Sequence, residues 1–381
     1  MGRIRSLDAI RSLAIVAVVS IHVMQVPALV HGQVMWMRVL VESTAKIGVP
    51  LFLMLTGYLM LGRDYSGGRL KRFLTRNWLP MLVAFESWAA ISFAVQRLVP
   101  VASVMPDVVR GVPGLKGLAQ TMLFWGEPFM VHFWYMQLAI GLYLLIPVLS
   151  AFLRQIDRDG NRWYLHLLMG ALLLYCFALP TMQLAIGWLG HRFDAQSRLG
   201  GFAGLAGQGV MYFLAGYLIR TGVRPRWLTQ PARWALLAAS LAFLWACAAA
   251  QYHFAHASTF RVTDGHLPIL LTAACLFLAM ADSPFWLRSH GLSGRIVLSL
   301  SQNAFGVYMV HLLALRILYW ALPDGMPSWA GMVAVNPLTA VLLSWLACLL
   351  VGLAGPFRRI LLLRRGQAAD SSRRYGLAIN A

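Results

Sequence analysis

Ten stretches of this chain are long and apolar enough to cross a lipid bilayer, and that pattern constrains everything else. A hydrocarbon core of about 30 Å needs roughly 20 apolar residues per helix. Such runs lie at 7–29, 41–61, 78–99, 131–153, 163–185, 203–219, 234–253, 266–281, 301–321 and 338–357. The fifth and sixth carry Gly and Pro, and the eighth is short. Lipid offers no partner to a peptide N–H or C=O, so continuous runs of this kind satisfy themselves as helices. The expected fold class is therefore all-α, a polytopic bundle of about ten transmembrane helices. Composition agrees: 59% of the 381 residues are hydrophobic and only 12% are charged. That charged share is about half the soluble norm. It excludes a disordered chain and leaves too few polar residues for a nucleic-acid-binding surface.

The net charge is nevertheless +19, from 32 Lys/Arg against 13 Asp/Glu. With the N-terminus in the cytoplasm, 22 of the 32 basic residues fall in segments 1–6, 62–77, 154–162, 220–233, 282–300 and the tail from 358. Seven fall on the other side, and Arg11, Lys46 and Arg316 lie within the runs. This asymmetry predicts that both termini are cytoplasmic. The first run carries Arg11 and His22 and lacks a small-residue cleavage site, so it reads as a retained helix rather than a signal peptide. The cysteines at 176, 247, 275 and 348 each sit in an apolar run and read as small core residues. The chain reads as one membrane domain over 1–366, with a short disordered tail at 367–381. The proline-containing segment 100–130 is expected to cap a site on the outer side. No repeat of the kind seen in transporters is visible.

An ionisable side chain inside a membrane run is a functional candidate by default. Arg11 and His22 are 11 residues apart, three helical turns plus about 20°, so they share a face. Asp8 lies one turn earlier on nearly the same face, and His22 lies about 16 Å beyond Arg11. The alternative is a snorkelling Arg and a satisfied core His. In the second run Glu42 and Lys46 have the spacing of a helical ion pair. Thr56-Gly57-Tyr58 follows, either a close helix crossing or a hydroxyl facing a ligand. Next comes a dense basic cluster, Arg69, Lys71, Arg72 and Arg76. It suits the phosphates of a nucleotide-like ligand or, alternatively, anionic lipid headgroups. Glu86, midway along the third run, should face the bundle and meet Arg, His or a proton path. His132, Trp134 and Tyr135 open the fourth run, as part of an aromatic belt or as a binding surface. In the ninth, Tyr308 and His311 are one turn apart. His253, His256 and His266 suit water contact as well as metal, and no metal site is expected.

At these residues the chain resembles acyltransferase family 3, a family of membrane-bound acyltransferases. The resemblance rests on Arg11 and His22 with ten residues between them after Leu7-Asp8. It extends to Thr56-Gly57-Tyr58, with Thr in place of the family's Ser, and to Arg69-x-x-Arg72. His132-Phe133-Trp134-Tyr135 running on to Tyr143…Pro147 and Tyr308…His311 complete the ordered set. The resemblance implies a bundle of ten or so helices in the bacterial inner membrane. It implies transfer of an acetyl group from cytoplasmic acetyl-CoA to a hydroxyl of an envelope carbohydrate or lipid-linked sugar. In that expectation His22 is the general base or acyl carrier, with Arg11, Glu86 and Asp8 assisting it. Arg69, Lys71, Arg72, Arg76, Thr56 and Tyr58 would hold acetyl-CoA, and His132, Trp134, Tyr135, Tyr308 and His311 the acceptor. The competing readings are a transporter or flippase of an envelope sugar and a membrane sensor that binds a small ligand.

Overall fold

The computed structural model describes residues 5–24, 35–98, 114–191, 205–222, 225–254, 262–281, 283, 291–321 and 335–364. Among these the chain is all-helical. In chain order the helices are α1 (Arg5–Met24), α2 (Met35–Ala45), α3 (Gly48–Met60), α4 (Gly68–Phe73), α5 (Leu79–Leu98), α6 (Leu115–Met122), α7 (Phe133–Arg158) and α8 (Arg162–Leu173). They continue as α9 (Leu179–Trp188), α10 (Leu205–Thr221), α11 (Gln230–Phe254), α12 (Leu267–Ala281), α13 (Leu292–Ala321), α14 (Asn336–Val351) and α15 (Gly355–Ile360). Seven helical stretches are long and apolar enough to cross a membrane: Arg5–Met24, Val39–Met60, Gly68–Leu98, Phe133–Arg158, Arg162–Trp188, Gln230–Gln251 and Leu292–Arg316. The other three expected runs fall on α10, α12 and α14, with 17, 15 and 16 residues. At 1.5 Å per residue α12 rises only about 22 Å, less than a hydrocarbon core.

Two long stretches widen before a proline. Leu74–Trp78, between α4 and α5, and Leu174–Ala178, between α8 and α9, are π-helical. Pro80 and Pro180 follow them. A proline has no N–H and its ring clashes with the carbonyl four residues back, here that of Arg76 and of Cys176. One extra residue in the turn relieves the clash and lets the helix run on.

α1 lies at the centre, packed on α2, α3, α12, α13 and α14. Two serines fasten it: Ser6 Oγ donates to the Ala281 carbonyl at 2.5 Å, and Ser12 Oγ to the Val297 carbonyl at 2.9 Å. Interhelical bonds of this kind suit a medium without hydrophobic drive. α3 and α10 cross at backbone contact. A Cβ on Gly57 would stand 1.9 Å from the Phe213 carbonyl oxygen, and one on Gly216 2.0 Å from that of Met54. The reading of Thr56-Gly57 as a close helix crossing therefore holds. The outer surface is apolar. Leu338, Leu342, Leu346 and Leu350 recur every fourth residue of α14 and are all exposed, while Ala340, Val341, Ser344 and Cys348 are buried. A stripe of exposed leucines is a face for lipid.

The basic end of the bundle is marked by the start of α1, the α3–α4 turn and the end of α7, where Arg154 Nη1 meets Asp64 at 2.8 Å. The chain after α14 folds back at this half of the bundle. Trp88 Nε1 donates to the Leu361 carbonyl at 2.9 Å, and Arg364 binds Asn303 and Gln302 at 3.2 and 3.3 Å. Arg364, expected on the cytoplasmic side at the end of the membrane domain, is tied into the bundle; the expected disordered tail 367–381 lies outside the described residues. Residues 100–113 of the capping segment do too. Its described part is α6 and a turn that seats Phe129 and Met130 in the core.

Candidate active site

Three histidines from distant parts of the chain meet inside the bundle. His22 comes from α1, His132 from the residue before α7, and His311 from α13. The His22 and His311 ring centroids are 5.0 Å apart, His132 and His311 4.9 Å, and His22 and His132 6.5 Å. His132 and His311 are fully buried, and His22 is 9% exposed. Tyr308 packs 5.5 Å from His132 and 5.6 Å from His311, and its hydroxyl donates to the His132 carbonyl. That bond fixes the start of α7 against α13. His311 Nδ1 lies 2.5 Å from the carbonyl of Tyr308, one turn earlier on its own helix. A carbonyl only accepts, so Nδ1 carries the proton and Nε2 presents a bare lone pair. Nε2 of His311 makes no hydrogen bond among the described residues, and the His132 ring has only the Met309 backbone within reach. Buried polar atoms are rarely left short of partners, and imidazole nitrogens in that state within one cluster mark a place where a ligand completes the bonding. Among the described residues no group of three or more His, Cys, Asp or Glu is arranged to hold a metal ion.

A file of polar groups joins this cluster to the basic end. At its near end Ser301 Oγ donates to Asp8 at 2.7 Å and accepts from Arg11 Nη1 at 3.2 Å, with Arg11 and Asp8 3.6 Å apart. The Arg11 side chain keeps 31% exposure, so it faces an opening rather than the core. Tyr143, on α7, bonds Thr56 and stands within electrostatic reach of Arg11. Tyr135, two turns earlier on α7, packs 5.4 Å from Tyr308 and 6.3 Å from Phe52. The order along the bundle is therefore Arg11, Tyr143 with Thr56, Tyr135, Tyr308 and the histidines. Eleven residues of α1 separate Arg11 from His22, a rise of about 16 Å.

The basic cluster lies below that file. Arg69, Lys71, Arg72 and Arg76 are all exposed. Phe73, between them, is buried and stacks 6.4 Å from Tyr143, which anchors the cluster to the file. Asp64 binds Arg69 and Arg154. The Ser66 N–H and hydroxyl, with those two cations, hold its carboxyl down at about 2. Lys71 and Arg72 have no ion-pair partner among the described residues.

Of the residues expected to act together, the structure joins His22 with His132, His311 and Tyr308, and Arg11 with Asp8. It places Tyr58 elsewhere, in the core 5.6 Å from Phe277. Glu86 is half-buried on α5 and its Oε2 has no partner; no described bond links it to Arg11 or to a histidine. Trp134 is half-buried beside Tyr135. Sequence reasoning missed Ser301 and Phe52 as site residues, and gave Tyr143, although part of the motif set, no role. The signal for Ser301 was present in the polar series Ser299, Ser301, Gln302 and Asn303 inside an apolar helix.

A chain that is all-helical among its described residues, with seven helices there long and apolar enough to cross a membrane, belongs to the class of polytopic membrane proteins. The family model of an acyltransferase domain, that of acyltransferase family 3, matches residues 4–357, and the chain belongs to this family. It is a membrane acyltransferase. No curated protein and no solved structure matches it.

Proposed function

We propose that this protein moves an acetyl group from acetyl-CoA to a hydroxyl of a cell-envelope carbohydrate or lipid-linked sugar, within the histidine cluster. The observation that carries the reading is the cluster itself: buried imidazoles short of partners, joined by a polar file to a basic end. The nucleotide phosphates rest on Lys71, Arg72, Arg76 and Arg69 at the cytoplasmic face of the bacterial inner membrane, with both termini on that side. The pantetheine arm follows Arg11, Tyr143, Thr56 and Tyr135. The 16 Å rise places Arg11 along the donor's arm and away from the reacting atoms. His132, Trp134 and Tyr308 line the acceptor.

His22 or His311 takes the proton of the acceptor hydroxyl, whose oxygen attacks the thioester carbonyl. The tetrahedral intermediate collapses, the C–S bond breaks, and the imidazolium returns its proton to the leaving thiolate. The products are an acetate ester and free CoA. Proton transfer by a positioned imidazole contributes about 10²–10⁴-fold to a rate. His22→Ala is expected to reduce acceptor acetylation by that order in membranes that retain the folded protein. The check is mass spectrometry of the envelope glycans together with free CoA release. Undiminished acetylation by His22→Ala sinks the assignment. Lys71→Ala/Arg72→Ala should raise the KM for acetyl-CoA and leave the acceptor KM in place.

A further inference from the structure

One cation inside the bundle has no place in that chemistry. Arg316 lies on α13 five residues past His311, about 7.5 Å further from the basic end. It is only 6% exposed, and its neighbours Leu312 and Leu315 are fully buried. Its Nε has no hydrogen-bond partner among the described residues. No described Asp or Glu forms an ion pair with it. The two other cations of the apolar runs are compensated. Arg11 has Asp8 and Ser301, and Lys46 has Glu42 at 3.7 Å and the Val262 carbonyl.

A buried guanidinium without a counter-charge is strongly unfavourable, and intramembrane charges are kept where a substrate or another charge meets them. Its place in the bundle decides which ligand. The exposed cations suited to the donor's phosphates lie at the basic end, on one side of the histidines, and Arg316 lies on the other. A guanidinium presents a planar fork of N–H donors that matches a carboxylate or a phosphate with two bonds. We infer that Arg316 binds an oxyanion carried by the acceptor, so that the sugar modified is acidic or phosphate-linked and not neutral. The word acceptor rests on the proposed function; the oxyanion site does not.

The test is thermal unfolding of the purified full-length protein in detergent, wild type against Arg316→Met and Arg316→Lys. The probes are glucuronate and a polyprenyl phosphate in mixed micelles. Binding to the native state raises the midpoint in proportion to occupancy. The wild type should be stabilised by at least one probe, and which one distinguishes a sugar carboxylate from a lipid-linked phosphate. Arg316→Met should lose the response, and Arg316→Lys, which keeps the charge but not the fork, should need about tenfold more probe. No response by the wild type to either probe overturns the proposal. So does an undiminished response in Arg316→Met or, where that variant does not fold, in Arg316→Lys. Acetyl-CoA consumption read in the same preparations separates the two ideas. Turnover without any probe response sinks the oxyanion site alone, and a probe response without turnover sinks the enzyme reading alone.

Discussion

An imidazole whose Nδ1–H is held by its own helix is a poised acceptor, because the opposite nitrogen cannot take up that proton. His311 is in this position, 5.0 Å from His22. Loss of either ring should therefore cost turnover more than stability. His311→Asn is expected to lower acetyl transfer by about 10²-fold or more while its thermal midpoint stays within a few degrees of wild type; equal losses of midpoint and turnover would make His311 a packing residue. Outside the helices, Asp264 is held up at about 6 by desolvation, with Lys46 pulling it down. The carboxyl of an unfolded chain titrates near 4, so the fold prefers Asp264 protonated. Stability from this group is complete below that value and falls as pH rises through about 6. Asp264→Asn should flatten the midpoint-versus-pH curve between about 4 and 6, and an unchanged curve counts against the assignment.

At the scale of elements, two crossings set the architecture. α3 meets α10 through Gly57 and Gly216, each with its Cα facing the other helix's carbonyl. Because the obstacle is backbone and not a flexible side chain, neither helix can yield locally. Gly57→Ala should destabilise by about 1–3 kcal/mol or more, read as a lower midpoint with reduced activity, and a neutral effect would show the crossing to be looser than the geometry implies. α1 meets α13 through polar contacts: Asp8 and Arg11 on Ser301, Ser12 on Val297. Those contacts set the register that brings His22 opposite His311. The π-turns before Pro80 and Pro180 rotate the helices that follow them. The prolines were plain in the sequence, but a widened turn follows from the packing that keeps the helix continuous, and periodicity alone does not show that.

For the whole molecule, hydropathy was legible because lipid permits so few solutions: among the described residues each apolar run carries a helix, and only its length differs. Arg11 and His22 on one face followed from a period of 3.6 residues. The three-histidine cluster did not follow, since His132 and His311 come from separate elements and only packing makes them neighbours. Glu86 was expected to meet Arg, His or a proton path; among the described residues no bond ties it to one, although its neighbour Phe85 packs 5.4 Å from Phe133, the residue after His132. Orientation is the whole-molecule claim that charge asymmetry makes. Cysteines replacing Lys71 and Lys116 should react with an impermeant thiol reagent from opposite sides of sealed inner-membrane vesicles. Labelling of both from one side refutes the topology.

The central claim is that a thioester at the basic end is consumed to acylate a hydroxyl at the histidines. It is tested most directly by purified protein in sealed vesicles with labelled acetyl-CoA on the side of the basic loop and envelope glycan on the other. The account predicts label in ester linkage on the glycan, one free CoA for each ester, and loss of both in His22→Ala. Glycan that crosses the membrane unmodified, with no CoA released, would contradict it.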